Sequence, residues 1–280
     1  METTTRHSED LSLNTPMVKR LLVDFVRDES HNAGFRKGVV GLSGGVDSSV
    51  VAYLAAEALG AENVLGVMMP YKTSSPQSLR DAELIAGELR IRAETVDITP
   101  MVDPLLHPSR IDDRVRAGNI MARERMIILY DRSSRDNALV IGTSNKTEIL
   151  LGYGTLFGDT ACALNPLGDL YKTQVWQLAA LLGVPKSIID KRPSADLWEG
   201  QTDEGEFGFS YDRVDHLLYF MVDERRKDSE LKSMGFDDPL IRKVRSMIMK
   251  NHFKRRMPLI AKVSNRTMNV DFMYPRDWGI

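Results

Sequence analysis

The sequence predicts a doubly wound, mostly parallel α/β sheet with a helical C-terminal portion. Three observations carry this reading. Short apolar runs alternate with helix-patterned segments across residues 37–150, the first run leads straight into a glycine-rich turn, and beyond Asp169 the strand pattern gives way to helices. Alternation of this kind implies parallel neighbours joined by right-handed crossovers. Ligands in such sheets sit beyond the carboxyl ends of the strands.

In chain order, Met17, Leu21, Leu22, Phe25 and Val26 recur at three-to-four spacing and predict a first helix, with residues 1–16 peripheral. Lys37–Ser43 reads as a short buried strand. The segment from Val46 has helical composition and stops at Gly60, a suitable C-cap. Asn63–Pro70 is the second strand. Ser75-Pro76 is an N-cap and N1 pair opening a helix that carries Leu79, Ala82, Ile85 and Leu89 on one face. Ala93–Thr99 is the third strand, a long helix spans about Asp112 to Ser133, and Asn137–Asn145 is the fourth strand. Residues 43–48, 70–75, 99–110 and 143–148, each following a strand, should therefore frame the ligand site. Helices resume at "KTQVWQLAALLG" (residues 172–183) and "VPKSIID" (184–190). A polar, glycine-containing stretch without a clear period, Lys191–Asp212, reads as a long functional loop. Helices then return from Tyr211 to about Phe253.

Composition narrows the function classes. At 280 residues, 42% apolar and 27% charged, the chain fits an ordinary soluble globular protein, expected in the cytoplasm. A net charge of −2 gives no field that favours nucleic acid or an anionic membrane. No apolar run approaches the roughly 20 residues of a membrane span. Cys162 is the single cysteine, which excludes an intrachain disulfide framework and a cysteine-rich metal site.

"GLSGGVDSS", from Gly41 to Ser49, joins a strand to a helix N-terminus through two glycines, an arrangement that presents free N–H groups and the positive helix dipole to an anion. Gly44 and Gly45 let the backbone approach closely, and Ser43, Ser48 and Ser49 offer hydroxyls. A Walker loop would end in lysine followed by serine or threonine. Here that lysine is missing and Asp47 stands in the loop. A carboxylate beside polyphosphate is repelled unless a hard cation such as Mg²⁺ lies between them. From spacing alone Asp47 is either a metal ligand or the cap of the helix it opens.

Ser43-Gly44-Gly45-Val46-Asp47-Ser48 resembles the PP-loop of the ATP pyrophosphatases, which share an adenine nucleotide alpha hydrolase-like fold. These enzymes split ATP between the α- and β-phosphates and pass AMP to an acyl or carbonyl oxygen. A second stretch, "VIGTSNKTEILLGYGTLFGDTACALNPLGDLYKTQVWQLAALLGVP" (Val140–Pro185), is similar to NAD synthetase, as are "NIMARERM" before it and "PSADLWEGQTDEGEFGFSYDRVD" after it. That resemblance runs from about Leu21 to Pro258, one domain. It implies amidation of the nicotinate carboxylate of deamido-NAD by ammonia through an AMP ester, with release of pyrophosphate.

The resemblance assigns roles position by position. ATP falls to Gly41, Leu42, Ser43, Gly44, Gly45, Val46, Asp47 and Ser48, with Thr143, Lys172 and Ser194. Mg²⁺ falls to Asp47 and Glu148. Asp47, Asp159 and Lys172 are the catalytic group, Asp159 being the candidate base that deprotonates ammonium. Deamido-NAD falls to Arg123, with Arg125 as its neighbour, and to Leu156, Ala163 and Lys254. Leu156 and Ala163 stand where bacterial ammonia-dependent members carry lysine and aspartate, and match the archaeal and glutamine-dependent branches. Residues 191–212 correspond to a lid over the nucleotides, which would exclude water. The implied assembly is a symmetric dimer. With no triad around Cys162, the nitrogen is expected as free ammonia or from a separate glutaminase. The competing reading is another PP-loop adenylating enzyme, a tRNA-modifying one or a GMP-synthetase-like amidase.

Overall fold

The computed structural model describes residues 11–106, 113–194, 196–198, 200–256 and 258–268. Residues 1–10, the expected start of the long helix at Asp112, and lid positions 195 and 199 lie outside this set. The described residues hold one four-stranded parallel sheet in the order β3-β2-β1-β4: β1 (Gly38–Gly41), β2 (Val64–Met68), β3 (Arg92–Thr95) and β4 (Leu139–Ile141). Val39 pairs with Leu65 on one side and Val140 on the other. The chain winds outward through β2 and β3, then returns to the opposite side of β1. The switch point therefore lies between β1 and β4, where the loops after the two strands diverge and leave a crevice.

Helices cover both faces. Val40, on one face, packs with α1 (Thr15–Asn32), α2 (Val46–Leu59), α3 (Pro76–Leu89) and α7 (Lys172–Leu182), through residues such as Val26, Leu54, Ile85 and Leu178. Val39, one residue earlier and hence on the other face, packs with α4 (Thr99–Leu106) and α5 (Arg114–Asp136), through Val102, Met121 and Ile128. Gly66 lies beneath Leu42, where a Cβ would come within 2.4 Å of the Leu42 side chain.

A second apolar core belongs to the C-terminal helices. Leu151, at the end of α6 (Lys146–Leu151), joins Phe207 of α9 (Asp203–Phe207), Tyr211 and Leu217 of α10 (Tyr211–Leu218) and Ile241 of α12 (Asp238–Lys250). Between them run α8 (Lys186–Ile189), a π turn (Tyr219–Asp223) and α11 (Asp228–Ser233), and a 3₁₀ turn (His252–Arg255) follows α12.

Several expected boundaries move for physical reasons. The strand windows shrink because their last residues leave the sheet for the crevice. The segment after β3 is helical, since Thr99–Leu106 buries Val102 on the sheet. The window Asn137–Asn145 gives a strand of only three residues, because Asn145 is recruited as the cap of α6. Leu11 is 2% exposed within the second core and its carbonyl accepts from Gln177, so the chain from residue 11 belongs to the body. The stretch 191–212 contains α9, started by Thr202 accepting from the Gly205 N–H. No helix among the described residues is long and apolar enough to cross a membrane.

Candidate active site

The loop after β1 is shaped by its own hydroxyls. Ser48 Oγ accepts from the Ser43 N–H and donates to the Gly45 carbonyl, while Ser43 Oγ accepts from the Gly45 N–H at 3.2 Å. Gly45 caps α2 without a side-chain bond. The N–H groups of Val46, Asp47 and Ser48 precede the first helical acceptor, so they remain for an anion. Gly44 takes φ +72° and packs against α3, where a Cβ would lie 2.0 Å from the Ser78 carbonyl oxygen. No other residue type fits there without moving backbone.

Asp47 does not cap its helix. Its carboxylate faces β4 instead, accepting from Asn145 Nδ2 at 3.0 Å and from the Lys172 ammonium. Asn145 and Glu148 form a reciprocal capping box at the start of α6, each side chain accepting from the other's N–H, at 3.0 and 3.2 Å. This turns Glu148 toward the same lysine, with Oε1 3.8 Å from Lys172 Nζ. Burial, with the Asp47 charge next, pushes the Glu148 carboxyl up to about 8. The Lys172 side chain is only 4% exposed. Burial works against its charge, but Asp47 and Glu148 outweigh burial and hold its pKa above the usual lysine value.

Lys172 is placed from below by a buried carboxylate. Its N–H donates to Thr147 Oγ1 at 3.1 Å, the Thr147 hydroxyl donates to Asp215 at 2.6 Å, and Asp215 also accepts from the Thr173 N–H at 2.8 Å. The Tyr211 ring lies under the ammonium, 5.4 Å from Nζ to centroid. Asp215 itself, fully buried, is pushed up to about 6 by burial, partly offset by those hydrogen bonds.

These groups open on a cavity of about 800 Å³ at the switch point. Gly41, Leu42, Ser43, Gly45, Val46, Asp47 and Ser48 line one wall, with Thr143 and Glu148 opposite. Lys172, Ser194, Asp159 and Lys254 also reach it. Gly44, assigned to ATP by its loop position, faces α3 instead, because its close approach to Ser78 turns it away. Asp159 Oδ1 accepts from the Thr155 N–H at 2.6 Å, and burial raises its carboxyl above the ordinary range. Lys254 Nζ donates to the Gly152 and Gly154 carbonyls, at 2.8 Å each.

Three of the residues assigned to deamido-NAD lie off the cavity. Arg123 is exposed and donates to the Leu156 carbonyl, at 3.3 Å from both nitrogens, whereas Arg125 faces inward and its Nε donates to the Met69 carbonyl at 3.0 Å. Two positions apart on a helix are about 200° apart, so only one of the pair can enter. Leu156 lines a separate groove of about 280 Å³ with Phe157 and Phe253. Ala163 is exposed at an edge, its N–H bonded to Val140 O at 2.9 Å.

The stretch 191–212 lies over this cavity. Asp196 accepts from the Ser75 N–H at 2.9 Å, and Leu197 packs into the core against α5. Asp203, buried, accepts from the hydroxyls of Tyr153 and Tyr211, at 2.9 Å each. Asn145, Tyr153, Asp203 and Asp215 were not singled out from sequence. Only the pattern asparagine, two residues, glutamate could have found the first.

The family model described as NAD synthase matches residues 18–258. An NH(3)-dependent NAD(+) synthetase from Trichlorobacter lovleyi is 55% identical over 269 residues, covering 96% of this chain and 98% of that protein. An NH3-dependent NAD synthetase structure from Campylobacter jejuni, in complex with the nitrate ion, superposes with TM-score 0.76 at 35% identity, covering 89% of this chain and 100% of that one. The structure of an NMN synthetase from Francisella tularensis gives TM-score 0.80 at 33% identity, covering 89% and 99%.

Proposed function

The chain belongs to the NAD synthase family, and from that premise we propose how its residues divide the work of ATP-dependent amidation of deamido-NAD to NAD by ammonia. The observation that carries the proposal is the pair of carboxylates, Asp47 and Glu148, meeting at the mouth of a phosphate loop that lacks the Walker lysine.

The nicotinate carboxylate attacks the α-phosphorus of ATP, pyrophosphate leaves, and ammonia then displaces AMP from the acyl carbon. The N–H groups opening α2 hold phosphate oxygens in the crevice, where the helix dipole favours them. Lys172, which donates to Asp47, supplies a buried positive charge to the departing pyrophosphate. Asp159, whose carboxyl burial makes a better base, accepts the proton that ammonium must lose. The lid of residues 191–212 keeps water from the reactive ester.

The donor set suits Mg²⁺. Asp47 and Glu148 offer hard oxygens, 16% and 17% exposed as side chains, and that cation is commonly held by one or two carboxylates together with substrate phosphates. When bound, it neutralises charge developing on the phosphate oxygens.

We further propose a homodimer in the cytoplasm that draws on free ammonia or a separate glutaminase. The support for a dimer is the exposure of two large apolar side chains, Ile127 and Tyr130, one turn apart on α5. NAD and pyrophosphate formation in Asp47→Asn and Glu148→Gln tests the site. Each is expected to lose on the order of 10²-fold or more in rate, and near-normal turnover in both at ordinary Mg²⁺ would remove the metal assignment. Nicotinate mononucleotide, tried in parallel because of the similarity to an NMN synthetase, is expected to be the poorer substrate.

A further inference from the structure

Lys191 opens the lid segment, and its side chain is 29% exposed. Its ammonium has three donors, and three protein acceptors surround it: the Gly44 carbonyl at 3.3 Å, Ser78 Oγ at 3.0 Å and Asp81 Oδ2 at 2.9 Å. The acceptors come from two different elements. Gly44 belongs to the phosphate loop, and Ser78 and Asp81 to the first turns of α3. Asp81 is itself buried and held by Gln77 Nε2 at 2.7 Å.

Gly44 is where the loop's path is set. It takes φ +72° against the Ser78 backbone, and the peptide that follows carries the Gly44 carbonyl at one end and the Gly45 N–H at the other. The two ends point in opposite directions across a trans peptide. Lys191 takes the carbonyl outward, and Ser43 Oγ takes the N–H at 3.2 Å. Releasing the carbonyl would let this peptide rotate, a low-cost motion between two glycines, and would turn the amides behind it away from the anion.

We propose that Lys191 is a positioning residue that locks the Gly44–Gly45 peptide, and so presets the phosphate loop for ATP from the base of the lid. Lys191 also borders the cavity, but its three donors are taken by protein oxygens, so the tether to the loop is the role proposed, and exchange measured without nucleotide isolates it from any contact with ATP. The inference rests on the reading of the cavity as an ATP site, and its test separates the two.

Amide hydrogen exchange over residues 42–51 is measured without nucleotide in wild type, Lys191→Met and the double variant Lys191→Met/Asp81→Asn. The double variant relieves the buried Asp81 charge that the single one strands. Exchange at these amides is expected to rise about tenfold in both variants while the strands stay protected. The KM for ATP should rise about tenfold with the KM for deamido-NAD within about twofold, and Lys191→Arg should recover most of the loss. Unchanged exchange in a folded double variant, or an ATP KM within about twofold of wild type, would overturn the proposal. Failure of the wild type to bind ATP would instead remove the functional reading, leaving the exchange result to decide on the tether.

Discussion

Replacing Lys172 with methionine puts a number on the charge balance of the site. The substitution keeps the chain's length and removes the ammonium standing between Asp47 and Glu148. Asp47 accepts directly from that ammonium, and at about 4 Å and an effective dielectric of about 20 one such pair interacts by about 4 kcal/mol. Breaking a buried pair from one side costs about 3–5 kcal/mol, because the partner is left charged without compensation. With unfolding entropy near 2.1 cal/mol/K per residue, a chain of 280 residues loses roughly 5–8 °C in Tm. Differential scanning calorimetry in EDTA measures it. Millimolar Mg²⁺ should then restore part of the loss in the variant and change the wild type much less, since wild type already has a cation between the carboxylates. A variant melting within about 2 °C of wild type in EDTA would refute the reasoning, and equal Mg²⁺ responses in the two proteins would refute its metal arm.

Gly44→Ala places a Cβ 2.0 Å from the Ser78 carbonyl oxygen at φ +72°, and is expected to cost about 2–4 kcal/mol and to abolish ATP binding by calorimetry. The Asp215 carboxyl, at about 6 in the fold against about 3.9 unfolded, binds its proton more tightly when folded. Its contribution is therefore fully present below pH 4 and lost as pH rises toward 6, by about 3 kcal/mol. Denaturant unfolding between those limits should show a correspondingly flatter profile in Asp215→Asn than in wild type, and parallel profiles would contradict the assignment. Ammonium chloride should support NAD formation by the pure protein, and glutamine should not. Efficient glutamine use would overturn the ammonia reading.

Much of this fold was legible because the sheet is simple. Val39-Val40 and Val64–Met68 are buried on both faces and read as apolar runs, and the glycine pair after β1 could hardly be anything but a turn toward an anion. Asp47 was recognisable as out of place, and its reading as a helix cap falls because Asn145 and Lys172, distant in sequence, claim its oxygens. The remainder was hidden because it depends on partners distant in sequence. Asp215 reaches Thr147 across 68 positions, Tyr153 reaches Asp203 across 50, and Lys191 reaches Gly44 across 147. Arg123 was the arginine assigned to deamido-NAD, with Arg125 as its alternative, and helix phase turns Arg123 outward and Arg125 to the cavity.

Asp215 also decides whether the chain can be cut. It sits on α10, among the C-terminal helices, yet its oxygens serve Thr147 and Thr173 at the threshold of the crevice. A fragment ending near residue 190 would retain every strand and the whole glycine turn. It would also strip the acceptor from beneath Thr147 and the Tyr211 ring from beneath Lys172, so the lysine would have nothing to stand on. What resembles a portable nucleotide-binding unit with helical trimming is thus a single indivisible piece, and a hybrid that grafts foreign helices onto this sheet must bring its own carboxylate to the same spot.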